Sequence, residues 1–138
     1  MKATAVAHSN IAFVKYWGKA DPVLFLPTRS SLSMTLDALS TTATVEFSKD
    51  YEKDFAVSNG KELSGKWLEE VSAHLDRIRK MAGITERAKV VSETNFPMGG
   101  GLAGSASFYA ALTVAACAAA GLELNSKELS IISRQGSG

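Results

Sequence analysis

The chain has 138 residues, 46% hydrophobic and 21% charged, which suits one domain large enough to bury a real core. Fifteen Lys and Arg stand against 14 Asp and Glu, so charge gives no case for a nucleic-acid partner or a membrane surface. A bound polyanion would need a local basic pocket.

Ala3 to Ala7 and Ile11 to Tyr16 are apolar, with His8-Ser9-Asn10 between them. This predicts two strand segments around a kink or bulge carrying Asn10. Lys15-Tyr16-Trp17-Gly18-Lys19 then places two aromatics and a glycine between two lysines. Packing of the rings with solvated lysines is the simpler account, and residue chemistry alone favours it. Against it, Gly18 suggests a turn, and lysines flanking a turn make a phosphate clamp. Asp21-Pro22 predicts a turn and Val23 to Leu26 a short strand closed by Pro27. Ser31 to Leu36 alternates polar and apolar residues, as a half-buried strand does, and Thr41 to Phe47 is β-branched and aromatic, another strand. Asn59-Gly60, flanked by Phe55 to Val57 and Glu62-Leu63, signals a hairpin.

From Trp67 to Ala82 the period changes. Leu68, Val71, Leu75, Ile78 and Ala82 share one helical face, and Gly83 suits the position just past a helix end. The Arg and Lys residues near that end are expected on a solvated face, as is His74. His8, His74 and Cys117 lack ligand spacing, so no zinc site is expected.

Ala88 to Thr94 predicts a strand, and Phe108 to Ala120 an apolar, alanine-rich central helix ended by Gly121. Cys117, the only cysteine, lies in that helix: no intrachain disulfide can form, a reducing compartment follows, and the thiol is expected to be buried and structural. The helix is too short to span a bilayer, and no basic segment followed by an apolar core opens the chain. A cytoplasmic location without signal peptide is expected. A last helix starts near Asn125 or Ser126, where Glu128 completes a capping box, and Gly136-Ser137-Gly138 follows as a loop.

Asn95 to Ser107, between strand and helix, holds Gly99, Gly100, Gly101 and Gly104 with Ser105 and Ser107. Glycines let backbone N–H groups approach an anion, and the helix N-terminus adds partial positive charge. No Lys-Ser/Thr follows, so this is not a Walker A loop. Gly99, Gly101 and Gly104 form Gly-x-Gly-x-x-Gly, but the preceding strands are antiparallel rather than βαβ. A tight turn into a packed helix explains the glycines equally; the serines tip the balance toward phosphate or its magnesium.

Pro97-Met-Gly-Gly-Gly-Leu-Ala-Gly-Ser-Ala-Ser107 resembles the phosphate-binding motif of the GHMP kinase superfamily. Asn10-Ile-Ala-Phe-Val-Lys-Tyr-Trp-Gly-Lys19 resembles the N-terminal signature of the diphosphomevalonate decarboxylases within it. So do Leu26-Pro-Thr-Arg-Ser-Ser-Leu-Ser-Met-Thr-Leu36, Thr94-Asn-Phe-Pro97 and Arg134-Gln-Gly-Ser-Gly138. The resemblance implies an α+β fold like ribosomal protein S5 domain 2, an antiparallel sheet with helices packed on it. It implies an ATP- and Mg2+-dependent lyase of isoprenoid (lipid) biosynthesis. Such an enzyme phosphorylates the 3-hydroxyl of (R)-5-diphosphomevalonate and releases CO2 and phosphate to leave isopentenyl diphosphate.

By the same resemblance Tyr16, Trp17, Gly18 and Lys19 line the substrate diphosphate, with Lys19 its counter-ion. Asn10 orients the arginine that holds the carboxylate, and Ser137 and Gly138 begin a Ser-Gly-Ser-Ala-x-Arg substrate loop. Pro97, Gly99, Gly100, Gly101, Leu102, Ala103, Gly104, Ser105, Ala106 and Ser107 wrap the ATP phosphates, with Ser105 or Ser107 near magnesium. Arg29 departs from a usual asparagine and Gly104 from a usual serine. The resemblance also implies that residues 1–138 are the N-terminal, ATP-binding domain of a longer homodimeric chain. Its substrate arginine and aspartate base would follow Gly138, so the piece alone is expected to be inactive. A phosphomevalonate decarboxylase, a mevalonate 3-kinase and a non-catalytic nucleotide-binding domain are the alternatives.

Overall fold

The computed structural model describes residues 1–14, 18–28, 30–97 and 104–137. Tyr16, Trp17, Arg29, Gly99 to Ala103 and Gly138 lie outside them. The strands are β1 (Lys2–Val14), β2 (Lys19–Asp21), β3 (Leu26–Pro27), β4 (Leu32–Ser48), β5 (Phe55–Ser58), β6 (Lys61–Glu62) and β7 (Arg87–Thr94). The helices are α1 (Gly65–Ala82), α2 (Gly104–Ala119) and α3 (Ser126–Ser137). One sheet has the order β1-β4-β7-β5-β6, and β2 and β3 form a separate hairpin. The fold is α+β, as expected, although the sheet is mixed: β5 runs parallel to β7, and the connection between them passes through β6 and α1.

Thr41, Ala43, Val45 and Phe47 of β4 and Ala88, Val90 and Ser92 of β7 face the helices and are buried. The opposite face carries Lys2 paired with Glu46, Thr4 bonded to Thr44, and the exposed Val6 and Val91. α2 closes the core. Ala111, Leu112, Ala115 and Ala116 are fully buried, and the short alanine side chains let the helix backbone approach its neighbours. Asn59 (φ 50°) and Gly60 (φ 77°) form the left-handed turn that the hairpin signal requires.

Four expectations need correction. The first concerns the kink: β1 is continuous through Asn10. The irregularity belongs to β4, whose partner residue jumps from Ser40 opposite His8 to Leu36 opposite Ser9. Asp37, Ala38 and Leu39 bulge out between.

Second, Val23 to Phe25 form a turn, not a strand. Asp21 Oδ1 accepts the N–H groups of Val23 and Leu24 at 2.8 and 2.9 Å, which removes ladder donors, and Phe25 takes a left-handed φ of 54°. Leu32 and Met34 are also exposed rather than half-buried.

The third lies on α1. His74 and Arg79 are buried, not solvated, because the inward stripe takes in 71, 74, 75, 78 and 79. Arg79 pairs with buried Asp54, which also accepts the Ala88 N–H at 2.8 Å, so the charge is compensated inside.

Finally, Gly136 and Ser137 continue α3 instead of forming a loop. At the other end of that helix the capping box forms as expected. Asn125 N–H donates to Glu128 Oε2 at 2.8 Å, and Glu128 N–H to Asn125 Oδ1 at 3.0 Å.

Candidate functional site

The start of α2 is held from below by a chain of hydroxyls. Ser107 donates to the Gly104 carbonyl at 3.1 Å, which leaves its oxygen to accept from Thr41 at 2.8 Å; Thr41 in turn accepts from Thr94 at 3.0 Å. Ser107 and Thr41 each give one proton and receive one. Ser107 and Thr41 are fully buried. The Ser107 oxygen therefore faces β4, while Ser105, two residues earlier, is exposed.

Asn95 anchors the other end of the glycine stretch. Its side chain accepts the Ser40 N–H at 2.8 Å and donates to the Ala38 carbonyl at 3.0 Å, and its own N–H donates to Ser40 at 3.1 Å. Ala38 lies in the β4 bulge, where pairing with β1 is lost, and Ser40 stands at its edge. Thus the bulge, an irregularity of the sheet, becomes the anchor of the loop. Asn59 Oδ1 adds an acceptor for the Thr94 N–H at 2.8 Å. Pro97 follows two residues after Asn95.

At the α2 N-terminus, Ser105 Oγ lies 3.2 Å from Ser137 Oγ on the last turn of α3. The first turn of α2 has no acidic side chain of its own, although Glu70 of α1 lines the cavity beside it. Beside the two serines opens a cavity of about 230 Å3 with apolar and aromatic walls: Leu63, Trp67, Phe108 and Tyr109. Hydroxyls and helix N–H groups at one side and aromatic walls at the other suit a ligand with an anionic part and a flat apolar part.

The last turn of α3 also reaches the β2–β3 hairpin, where Arg134 Nε donates to the Leu24 carbonyl at 3.2 Å. On that hairpin Lys19 Nζ lies 4.1 Å from the centre of the Phe25 ring. Gly18, at φ 121°, makes the turn into it. Asn10, in β1, donates from Nδ2 to Thr35 Oγ1 at 3.2 Å.

Behind the cavity sits His74. Arg77 can only donate, so its Nη1, at 3.5 Å, makes Nδ1 the acceptor, and Nε2–H then donates to Thr113 Oγ1 at 2.8 Å. Burial first, and Arg77 second, push the imidazole down to about 4, so it is neutral at pH 7. Its ring meets Tyr109 edge-on at 5.1 Å. Burial raises the Cys117 thiol to about 11, in keeping with the expected packing role.

Of the expected site residues, the structure brings together Gly104, Ser105 and Ser137, with Lys19 linked through Arg134. Sequence reading missed Trp67, Phe108 and Tyr109 as site residues, and it named Asn95 and Arg134 in motifs without giving either a role. The signal for the aromatics was present: Phe108 and Tyr109 stand three and four residues after Ser105, on one side of a helix that begins at Gly104 rather than at Phe108.

Residues 7–138 match the family described as diphosphomevalonate decarboxylase-like N-terminal domain. The chain belongs to that family. Phosphomevalonate decarboxylase of Haloferax volcanii is 39% identical over 99% of this chain and 42% of its own length. The crystal structure of mevalonate diphosphate decarboxylase from Staphylococcus aureus is 42% identical, with a TM-score of 0.95, over 99% of this chain and 41% of its own. The MDDEF protein in complex with MVAPP, AMPPCP and magnesium is 45% identical, with a TM-score of 0.93, over all of this chain and 42% of its own. The 138 residues thus span 41–42% of these decarboxylases. Among the described residues, no helix is long and apolar enough to cross a membrane.

Proposed function

We propose that residues 1–138 are the nucleotide-binding part of an ATP-dependent decarboxylase acting on (R)-5-diphosphomevalonate, with isopentenyl diphosphate, CO2, ADP and phosphate as products. The observation that carries this reading is the pairing of Ser105 and Ser137 at a helix N-terminus beside an aromatic-walled cavity. The MDDEF complex, with its nucleotide analogue and magnesium, supports it.

In this reading Gly104 and Ser105, with the glycines before them, would receive the ATP phosphates, and Trp67, Phe108 and Tyr109 would wall the base. Among the described residues no three His, Cys, Asp or Glu side chains gather as a metal cluster. Magnesium would therefore be held chiefly by phosphate oxygens, with the exposed Ser105 hydroxyl the better placed of the two candidate serines. ATP supplies the phosphoryl group that turns the tertiary 3-hydroxyl into a leaving group. The chain's own part is to hold two anions in register and balance their charge. Lys19, with Tyr16, Trp17 and Gly18, would meet the substrate diphosphate. Asn10 would orient the carboxylate-binding arginine, and Ser137 and Gly138 would open the substrate loop. A homodimeric, cytoplasmic enzyme of isoprenoid (lipid) biosynthesis, with a further domain carrying the base, completes the proposal.

The Haloferax relative favours a second reading, in which the substrate carries one phosphate. Coupled assay of the full-length protein on mevalonate bearing zero, one or two 5-phosphates separates them. CO2 release fastest with the diphosphate is expected, and a higher kcat/KM with the monophosphate would overturn it.

A further inference from the structure

Gly136 stands in the last turn of α3, where alanine would be the better helix former, so its presence needs a reason. The reason is visible in Tyr109. A Cβ on Gly136 would stand 2.7 Å from Tyr109 Cε1 and 2.8 Å from Cγ, and closer still to Cδ1. Contacts that short do not occur between real atoms, and an aromatic ring cannot bend away.

Nor can the ring easily swing aside. Tyr109 is buried and makes T-shaped contacts with the rings of His74 at 5.1 Å and Phe108 at 5.2 Å. His74 is fixed in its turn by Thr113 at 2.8 Å. A buried ring with two such neighbours is thus a wall against which the backbone of α3 rests.

The residue after Gly136 is Ser137, whose hydroxyl meets Ser105 at 3.2 Å. Arg134, on the same turn, bonds the Leu24 carbonyl of the β2–β3 hairpin. We infer that the Tyr109–Gly136 interlock is a positioning device: it sets how close the last turn of α3 comes to α2, and so fixes the Ser105–Ser137 spacing and the mouth of the adjoining cavity. Its consequence for nucleotide rests on the reading proposed above. Any side chain at 136 would lever Ser137 away from Ser105.

The test uses the full-length protein and two readouts, one of which needs no ligand. Ser105→Cys with Ser137→Cys places two thiols where the serine oxygens lie 3.2 Å apart, near enough for a disulfide to close under mild oxidation. Buried Cys117 does not compete. Adding Gly136→Ala should slow closure at least tenfold, and adding Tyr109→Leu as well should restore most of the rate. With the serines intact, Gly136→Ala should raise the KM for ATP about tenfold while kcat changes less than twofold; the Tyr109→Leu arm is read by crosslinking and not by KM, because Tyr109 also walls the cavity. Alanine is the better helix former, so a loss cannot come from helix propensity. Should Gly136→Ala prevent folding, recovery of a folded protein by Tyr109→Leu is the expected sign of the same clash. An unchanged crosslinking rate, or no recovery when the ring is removed, overturns the interlock. Slower closure with an unchanged KM leaves the interlock standing and counts against the nucleotide reading.

Discussion

Neighbouring side chains of the same type have opposite fates here. Ser105 and Ser107 are two residues apart, yet one hydroxyl faces solvent and the other completes a buried relay from Thr94 through Thr41 to the Gly104 carbonyl. Removing Ser107 leaves the buried Thr41 hydroxyl with Thr94 alone, a loss of about 1 kcal/mol. Ser107→Ala should therefore lower the urea midpoint. Ser105→Ala should leave the midpoint within about 0.5 kcal/mol of the parent, as surface changes do, and weaken ATP binding instead. Equilibrium unfolding and nucleotide titration on both variants check this, and the opposite pattern would assign the ligand to Ser107. The burial of Arg79 belongs to the same scale. Its pairing with Asp54 depends on β5, α1 and β7 meeting, as the Ala88 N–H on the same carboxylate shows.

At the scale of elements, three helix ends are stated by their local chemistry. α2 stops where Gly121 adopts φ 76° and Leu122 N–H reaches the Cys117 carbonyl at 2.9 Å. α1 stops at Gly83, φ 67°, whose N–H reaches Arg79. α3 starts with the reciprocal Asn125–Glu128 pair, and this helix carries both Arg134 and Ser137. Asn125→Ala should cost about 1 kcal/mol, the usual worth of such a cap. Amide exchange should accelerate in α3 more than in α2. Uniform acceleration across both helices would show that α3 is held by packing and not by its cap. The glycine stretch is likewise clamped before it begins, since Asn95 fills the β4 bulge with its own amide.

Across the whole molecule the sheet, α1 and α2 enclose His74, and this gives the fold a pH signature. The folded imidazole sits at about 4 against an ordinary 6.5. Between those values the unfolded chain binds the proton and the folded chain does not. Stability should thus be full above about pH 6.5 and fall as pH drops toward 4, by up to about 3 kcal/mol. Urea midpoints at pH 7 and pH 4.5 measure it, with His74→Gln expected to flatten the difference. An equal slope in that variant would place the titration on the carboxylates. Tyr109 packs on this histidine, so acid should also loosen the wall of the cavity.

The sequence by itself determined the elements whose signals are local. Asn59-Gly60, the glycine ends of α1 and α2, the capping box and the apolar α2 each state their conformation through the torsions or hydrogen bonds that nearby residues permit. It determined family membership too, since Asn10 to Lys19, Asn95 to Ser107 and Arg134 to Gly138 are contiguous motifs. The tertiary structure decided what depends on neighbours distant in the chain. A helical period does not fix how wide its buried stripe becomes, so His74 and Arg79 read as solvated until α2 and Asp54 closed over them. The bulge could be sensed at His8-Ser9-Asn10, but only pairing assigned its extra residues to β4. Gly136 looked like a loop residue because glycine alone reports permissiveness. Only the ring of Tyr109, 27 positions earlier in the chain, makes it a requirement of space.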